Sequence, residues 1–417
     1  MNIELGFGKE KLCISVPDQN MRGMLMPNKV EIGLEGVDEV NRAIKAPIGS
    51  KRLKDIVNKG ENICIITSDI TRPMPSKFVI PAVLEELYLA GVLDKDITIV
   101  FALGNHRPHT EEEKKHLVGG EIYSKIKCVD SDQSRVIHMG NTSFGTPVDI
   151  FETVAKADRV ICLGNIEYHY FAGYSGGAKA IMPGVSTAAA IQANHSKMVE
   201  DTSAAGRFEG NNVRKDIDEV ARFLKIDFIV NVVLDEKKQI IKAVAGHYIE
   251  AHREGCSFLD RLYKVRIKQK ADIVIVSAGG FPKDINLYQA QKALDNSKHA
   301  VKDGGVVILV ASCKEGLGEK VFERWMKDAK SPSDMVEKIQ RKFELGGHKA
   351  AAIGMVQQKA DVYLVSDMDK TFVRSLFFEP FDNVQAALDK AFEKLGDNAD
   401  VIVMPYGGST LPELAES

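Results

Sequence analysis

Nowhere does the chain approach the roughly 18 consecutive apolar residues of a membrane span. Its start, MNIELGFGKEKLCISVP, alternates apolar and polar positions like a strand pair, with no basic segment leading into a long apolar run, so a secretory signal is not expected. Cysteine is sparse. The six are at least 34 residues apart and form no Cys-x-x-Cys pair, which argues against a thiolate metal site and for buried, reduced thiols in a cytoplasmic protein. Charge of one sign is also lacking. A formal net charge of -3 gives no field that would favour nucleic acid or membrane, so a small anionic ligand would have to be met by local basic residues. No repeat of 20 to 50 residues and no low-complexity tract occurs.

What is present is an α/β pattern. At 417 residues the chain exceeds the size at which one core usually stops growing, and two domains are expected. Apolar β-rich runs at 62–67, 96–103, 125–130, 158–164 and 227–235 alternate with helical spacing, as in PSKFVIPAVLEELYLAGV. The pattern restarts near residue 272 with ADIVIVSAGG, GGVVILVAS, ADVYLVSD and ADVIVMPYGG. The expectation is therefore two α/β domains, 1–265 and 266–417, each built on a mainly parallel sheet flanked by helices. The last residues are free to return to the first domain. The join falls near DRLYKVRIKQK, where five of the ten residues from Arg261 to Lys270 are basic, read as a solvated helix end or linker.

Open parallel sheets place ligands at the carboxyl ends of their strands, where this sequence puts unusual polar residues. SDITRP brings Asp69 and Arg72, GNHRPH brings His106, Arg107 and His109, and NIEYH brings Glu167 and His169. Asp69 reads either as a helix cap or as a site residue. Arg72 suits a bidentate contact to carboxylate or phosphate. The segment HYFAGYSGGAKAIMPGVSTAAAIQANH, 169–195, reads as a loop and helix in which Gly173, Gly176 and Gly177 let backbone amides approach an anion. It is not a P-loop, because Ala178 and Ala180 flank Lys179 where Gly and Ser or Thr belong. Lys179 is then either a point charge for phosphate or an amine for a covalent bond. His195, near the end of a short helix, either complements the helix terminus or binds a metal held mainly by a cofactor. In the second domain Tyr288, Gln289 and Lys292 share one helix face. GLGEKV lacks the third glycine of a dinucleotide fingerprint.

Together SDITRP, LGNHRP, HYFAGYSGGAKAIMPG, the NH at 194–195 and YQAQK resemble the nickel-dependent lactate racemase family, over essentially the whole chain. The resemblance implies two α/β domains with the active site in the cleft between them. It implies a nickel-pincer nucleotide cofactor, pyridinium-3-thioamide-5-thiocarboxylic acid mononucleotide with Ni(II), made by partner biosynthetic enzymes. By the same resemblance Lys179 is the covalent attachment point and His195 the nickel ligand. His106 and His169 are the two acid/bases. Asp69, Arg72, Ser175, Gly176 and Gly177 bind the cofactor, and Arg72, Tyr288, Gln289 and Lys292 bind the substrate. The implied reaction inverts C2 of a 2-hydroxy acid, most simply lactate, by hydride transfer through a planar 2-oxo acid. Malate, longer-chain acids and sugar acids stay open as substrates; an NAD-dependent dehydrogenase and a non-enzymatic nucleotide-binding module are the readings of another class.

Overall fold

The computed structural model describes residues 1–415. The chain divides into two compact units, one formed by Val30–Asp260 and the other by Met1–Lys29 together with Arg261–Ser417. Among the described residues no helix is long and apolar enough to cross a membrane.

The Val30–Asp260 unit is built on a six-stranded sheet in the order Ile240–Gly246, Phe228–Leu234, Arg159–Asn165, Ile63–Ser68, Ile97–Ala102, Lys127–Asp130. All neighbours are parallel except the first pair. Ile63–Ile66 are all buried, as a strand covered on both faces must be. The helix Ser76–Leu89 sets Val79, Ile80, Val83 and Leu87 into the core at 3.6-residue spacing. From Ile63–Ser68 the chain steps outward through two strands on one side, then returns as Arg159–Asn165 on the other side of the first. That reversal is a topological switch point, and it sets the loops after 63–68 and 159–165 side by side.

The other unit has a wholly parallel sheet in the order Glu379–Phe381, Asp361–Val365, Val301–Val310, Ala271–Ser277, Val401–Met404, Met21–Met24. The hairpin Asn2–Phe7 with Glu10–Ser15 packs Ile3, Leu5 and Ile14 into the same core as Val384, Ala387 and Leu388 of the helix Val384–Leu395.

This division differs from the expected 1–265 and 266–417. The first 29 residues belong with the carboxyl-terminal unit, because Met21–Met24 adds an edge strand beside Val401–Met404 and the hairpin buries its apolar face there. The last strand, Leu411–Leu414, does not return to the Val30–Asp260 unit; it pairs with Lys264–Ile267, inside the basic segment read as a solvated helix end or linker, where the helix Glu250–Tyr263 does end. Both α/β sheets match the expected fold class. Cys64, Cys162, Cys256 and Cys313 are buried, but Cys13 is exposed and Cys128 half-buried, and none forms a disulfide. Cys13 sits on a two-stranded hairpin whose outer face meets solvent.

Candidate active site

At the end of strand Ile63–Ser68 the chain turns through Asp69, whose Oδ1 accepts the Thr71 N–H at 2.7 Å, an Asx turn natural to this residue. Its other oxygen receives His106 Nδ1 at 3.0 Å. Burial alone would raise the Asp69 pKa, but the His106 and Thr71 hydrogen bonds outweigh it and hold the carboxyl at about 2. The carboxylate therefore places a proton on His106 Nδ1, and in the neutral ring the lone pair falls on Nε2. This is the orientation logic of a carboxylate and histidine in nucleophilic catalysis. Asp69 is not a helix cap, since the next helix begins at Ser76 behind Pro75 with no side-chain cap; its pairing with His106 joins two loops distant in sequence.

His109 resolves differently. Its Nε2 accepts the Ile70 N–H at 3.0 Å, and its Nδ1 donates to Asp130 at 2.6 Å. Both ring nitrogens are used inside the protein, so His109 ties three strand-end loops together. Arg107 is exposed and pairs with Glu113. Arg72 is exposed, and among the described residues no carboxylate pairs with its guanidinium, which leaves it available to an anion.

The glycine-rich loop starts as a tiny hairpin, Tyr168–His169 against Gly173–Tyr174, and reaches Lys179 within the four-residue 3₁₀ turn Gly177–Ala180. The expected short helix ending at His195 is present as Ala188–His195, after a further turn. Gly176 and Gly177 have φ of 79° and 61°, the left-handed region that favours glycine. A Cβ on Gly176 would lie 2.8 Å from Asn231 Oδ1, and one on Gly177 2.9 Å from an Arg214 guanidinium nitrogen. The Gly177 N–H donates to Asn231 Oδ1 at 2.8 Å, and the Ser175 hydroxyl donates to the Asn165 carbonyl at 2.7 Å. Of the residues expected to bind the cofactor, Ser175 and Gly177 thus have hydrogen bonds within the protein, and Gly176 and Gly177 give room to Asn231, Arg214 and His252.

That packing has an electrostatic result at Lys179. Burial comes first, and the charges of Arg214 and Arg72 add to it; together they lower the Lys179 pKa from 10.5 to about 7. Arg214 is 1 % exposed and bonded to Asp218 at 2.6 Å. His252 donates from Nε2 to the Ser175 carbonyl at 2.7 Å and accepts from Arg253 at 2.6 Å; burial and the two arginines push its pKa well down, so it stays neutral. Sequence reading passed over Arg214, Asn231 and His252, which lie on separate elements with no motif to mark them.

His169 Nδ1 accepts the Ala172 N–H at 3.3 Å. The Phe171 ring lies edge-on to His169 at 4.4 Å and to His195 at 4.9 Å between ring centroids. Thr187 caps the helix Ala188–His195, accepting from the Ala190 N–H at 3.3 Å, and the helix delivers His195 at its last position, 5 % exposed. The loops are stitched together: the Gly104 N–H, two residues before His106, donates to the Gly184 carbonyl at 2.9 Å, and the Gly184 N–H donates to the Lys179 carbonyl at 3.2 Å. Gln133 donates to the Gly104 carbonyl at 2.6 Å and accepts the Ala188 N–H at 3.0 Å. Asp69, His106, Lys179 and His195 thus sit on one connected set of loops. Among the described residues no three His, Cys, Asp or Glu side chains are grouped to hold a metal. A metal bound at His195 would need its other ligands from a cofactor.

In the other unit, Asn286 caps the helix Leu287–Ser297 through the Gln289 N–H at 3.0 Å. Gln289 and Lys292 are exposed on it. The half-buried Tyr288 ring lies under Lys349 Nζ, 4.0 Å from its centroid, and edge-on to Phe322.

The chain is similar to known proteins over nearly its whole length. Residues 7–206 match the lactate racemase N-terminal domain and residues 266–411 the lactate racemase C-terminal domain. A lactate racemase from Thermoanaerobacterium thermosaccharolyticum is 35% identical over 98% of this chain and 99% of its own length. One from Lactiplantibacillus plantarum is 33% identical over 97% and 98%. The solved lactate racemase apoprotein from Thermoanaerobacterium thermosaccharolyticum aligns with a TM-score of 0.86 at 34% identity, covering 99% of this chain and 100% of that one.

Proposed function

The chain belongs to the lactate racemase family and is an isomerase, and from that premise we propose that it interconverts the two enantiomers of lactate with a nickel-pincer nucleotide tethered to Lys179. The pairing of Asp69 with His106, on the same stitched loops as the near-neutral Lys179, carries this reading. The donor set fits the group. Burial and the neighbouring arginines lower the Lys179 pKa to about 7, which favours the unprotonated amine that covalent attachment requires. His195 is a single buried imidazole, and imidazole is a ligand that suits nickel.

When bound, the nucleotide supplies a reversible hydride acceptor for C2 of the substrate. His106, oriented by Asp69, takes the hydroxyl proton of one enantiomer at Nε2. His169 serves the other enantiomer, whose hydroxyl lies on the opposite side. The two histidines are not equivalent: His106 Nδ1 donates to a carboxylate, whereas His169 Nδ1 accepts from a backbone N–H. Arg72 holds the carboxylate so that the planar 2-oxo acid is retained until inversion. The substrate-binding role of Tyr288, Gln289 and Lys292 and the cofactor contacts of Ser175, Gly176 and Gly177 rest on the resemblance. For Ser175 and Gly177 they require present hydrogen bonds to be shared or exchanged.

The test is chiral analysis of single lactate enantiomers with full chain loaded by the cofactor-making enzymes. His106→Gln and His169→Gln should each retain nickel and lose interconversion by about 10²-fold or more. Full activity in the double variant would refute the two-base reading. A panel with malate and sugar acids separates lactate from other 2-hydroxy acids.

A further inference from the structure

His195 is not alone in the core. Its Nδ1 faces Asn194 Oδ1 at 2.9 Å. Which end of the Asn194 amide faces the ring is settled by the other end, whose nitrogen donates to the Val213 carbonyl at 3.2 Å and to Asp216 Oδ2 at 2.9 Å. A backbone carbonyl only accepts, so the nitrogen belongs there and the oxygen toward His195. Nδ1 must then donate, and the lone pair of the neutral ring lies on Nε2.

Asp216 anchors the amide in turn. Its two oxygens receive Thr142 Oγ1 and Thr146 Oγ1, each at 2.6 Å, and Lys197 Nζ lies 3.4 Å away. Asn194, Asp216 and Thr146 are 0 % exposed and Thr142 5 %. Burying a carboxylate and an amide costs free energy unless every donor and acceptor is satisfied, and apolar side chains of the same volume would fill the space without that cost. Here the hairpin carrying Thr142 and Thr146, the helix Asn212–Glu219 and the helix Ala188–His195 converge on the one amide that faces the imidazole.

We propose that Asn194 and Asp216 are positioning residues that lock His195 in its Nδ1–H tautomer, presenting Nε2 as the metal-donor atom before any cofactor arrives. The inference rests on the reading of His195 as nickel ligand for its purpose, though not for the lock itself. Partners of this kind around ligating histidines fix ring orientation, and their loss typically lowers metal affinity about 10- to 100-fold.

The full chain, labelled with ¹⁵N-histidine and carrying no cofactor, decides the lock by long-range ¹H–¹⁵N NMR, with His195→Gln identifying the resonances. Wild-type His195 should show a protonated Nδ1 and an unprotonated Nε2; the reverse would overturn the proposal, whatever the variants do. In Asn194→Leu the His195 signature should shift toward mixed or Nε2–H form while that of His109, held by Asp130, stays unchanged and reports an intact fold. An unchanged His195 in that folded variant would also overturn it. In cofactor-loaded protein, Asn194→Leu should hold nickel about 10- to 100-fold less tightly against a chelator, and unaltered retention would remove the link to the metal. Wild type that binds no nickel yet shows the expected tautomer would contradict the nickel reading and leave the lock standing.

Discussion

Lys179 concentrates the chemistry of the loop in one ionisation. Its folded pKa, about 7, lies below the ordinary 10.5, so between these values the unfolded chain binds more protons and stability rises with pH; below about 7 the full penalty applies. Lys179→Met should therefore stabilise cofactor-free protein at pH 6, on the order of 3 kcal/mol, with the gain shrinking toward pH 10; denaturant titration across that range checks it. The same variant should carry no covalent adduct by intact mass after loading. Asp69 has the opposite sign. Its pKa is depressed from 3.8 to about 2, so its stabilisation is present above about pH 4 and is lost as pH falls toward 2. Asp69→Asn should remove on the order of 2 kcal/mol of acid-sensitive stability and slow turnover by about 10²-fold; acid unfolding curves and kcat report the two losses separately. The places of His106 and Lys179, after a strand and within a glycine turn, were legible in the sequence. Arg214, whose charge adds to the effect of burial at Lys179, was not, because an arginine inside a polar helix carries no sign of being buried.

The elements that carry these groups were read closely: the runs at 62–67 and 96–103 are the strands Ile63–Ser68 and Ile97–Ala102. Their apolar continuity reflects burial on both faces, a requirement that sequence displays directly. The glycine loop carries a packing requirement that its spacing does not display. Glycine spacing suggested amides turned toward an anion; Gly176 and Gly177 also make room for Asn231, His252 and Arg214, and a close neighbour from a distant strand or helix leaves no local pattern. Gly177→Ala should for that reason distort the Lys179 turn. We expect a destabilisation of about 1 to 3 kcal/mol and slower adduct formation, followed by thermal unfolding and time-resolved intact mass. Thr187→Ala, which removes the cap of the helix ending at His195, should cost about 0.5 to 2 kcal/mol.

At the scale of the whole molecule, two α/β units were legible but their membership was not. The first 29 residues join the carboxyl-terminal unit through an edge strand and a hairpin, long-range pairings that periodicity within a segment cannot reveal. The family shared with lactate racemases makes one claim central, that inversion at C2 proceeds by hydride leaving and returning rather than by proton loss to solvent. It is tested most directly by giving cofactor-loaded protein a single enantiomer of lactate in D₂O and measuring deuterium at C2 of the inverted product. The account predicts racemisation with the original C2 hydrogen retained. Deuterium at C2, or no racemisation by nickel-replete protein, would contradict it.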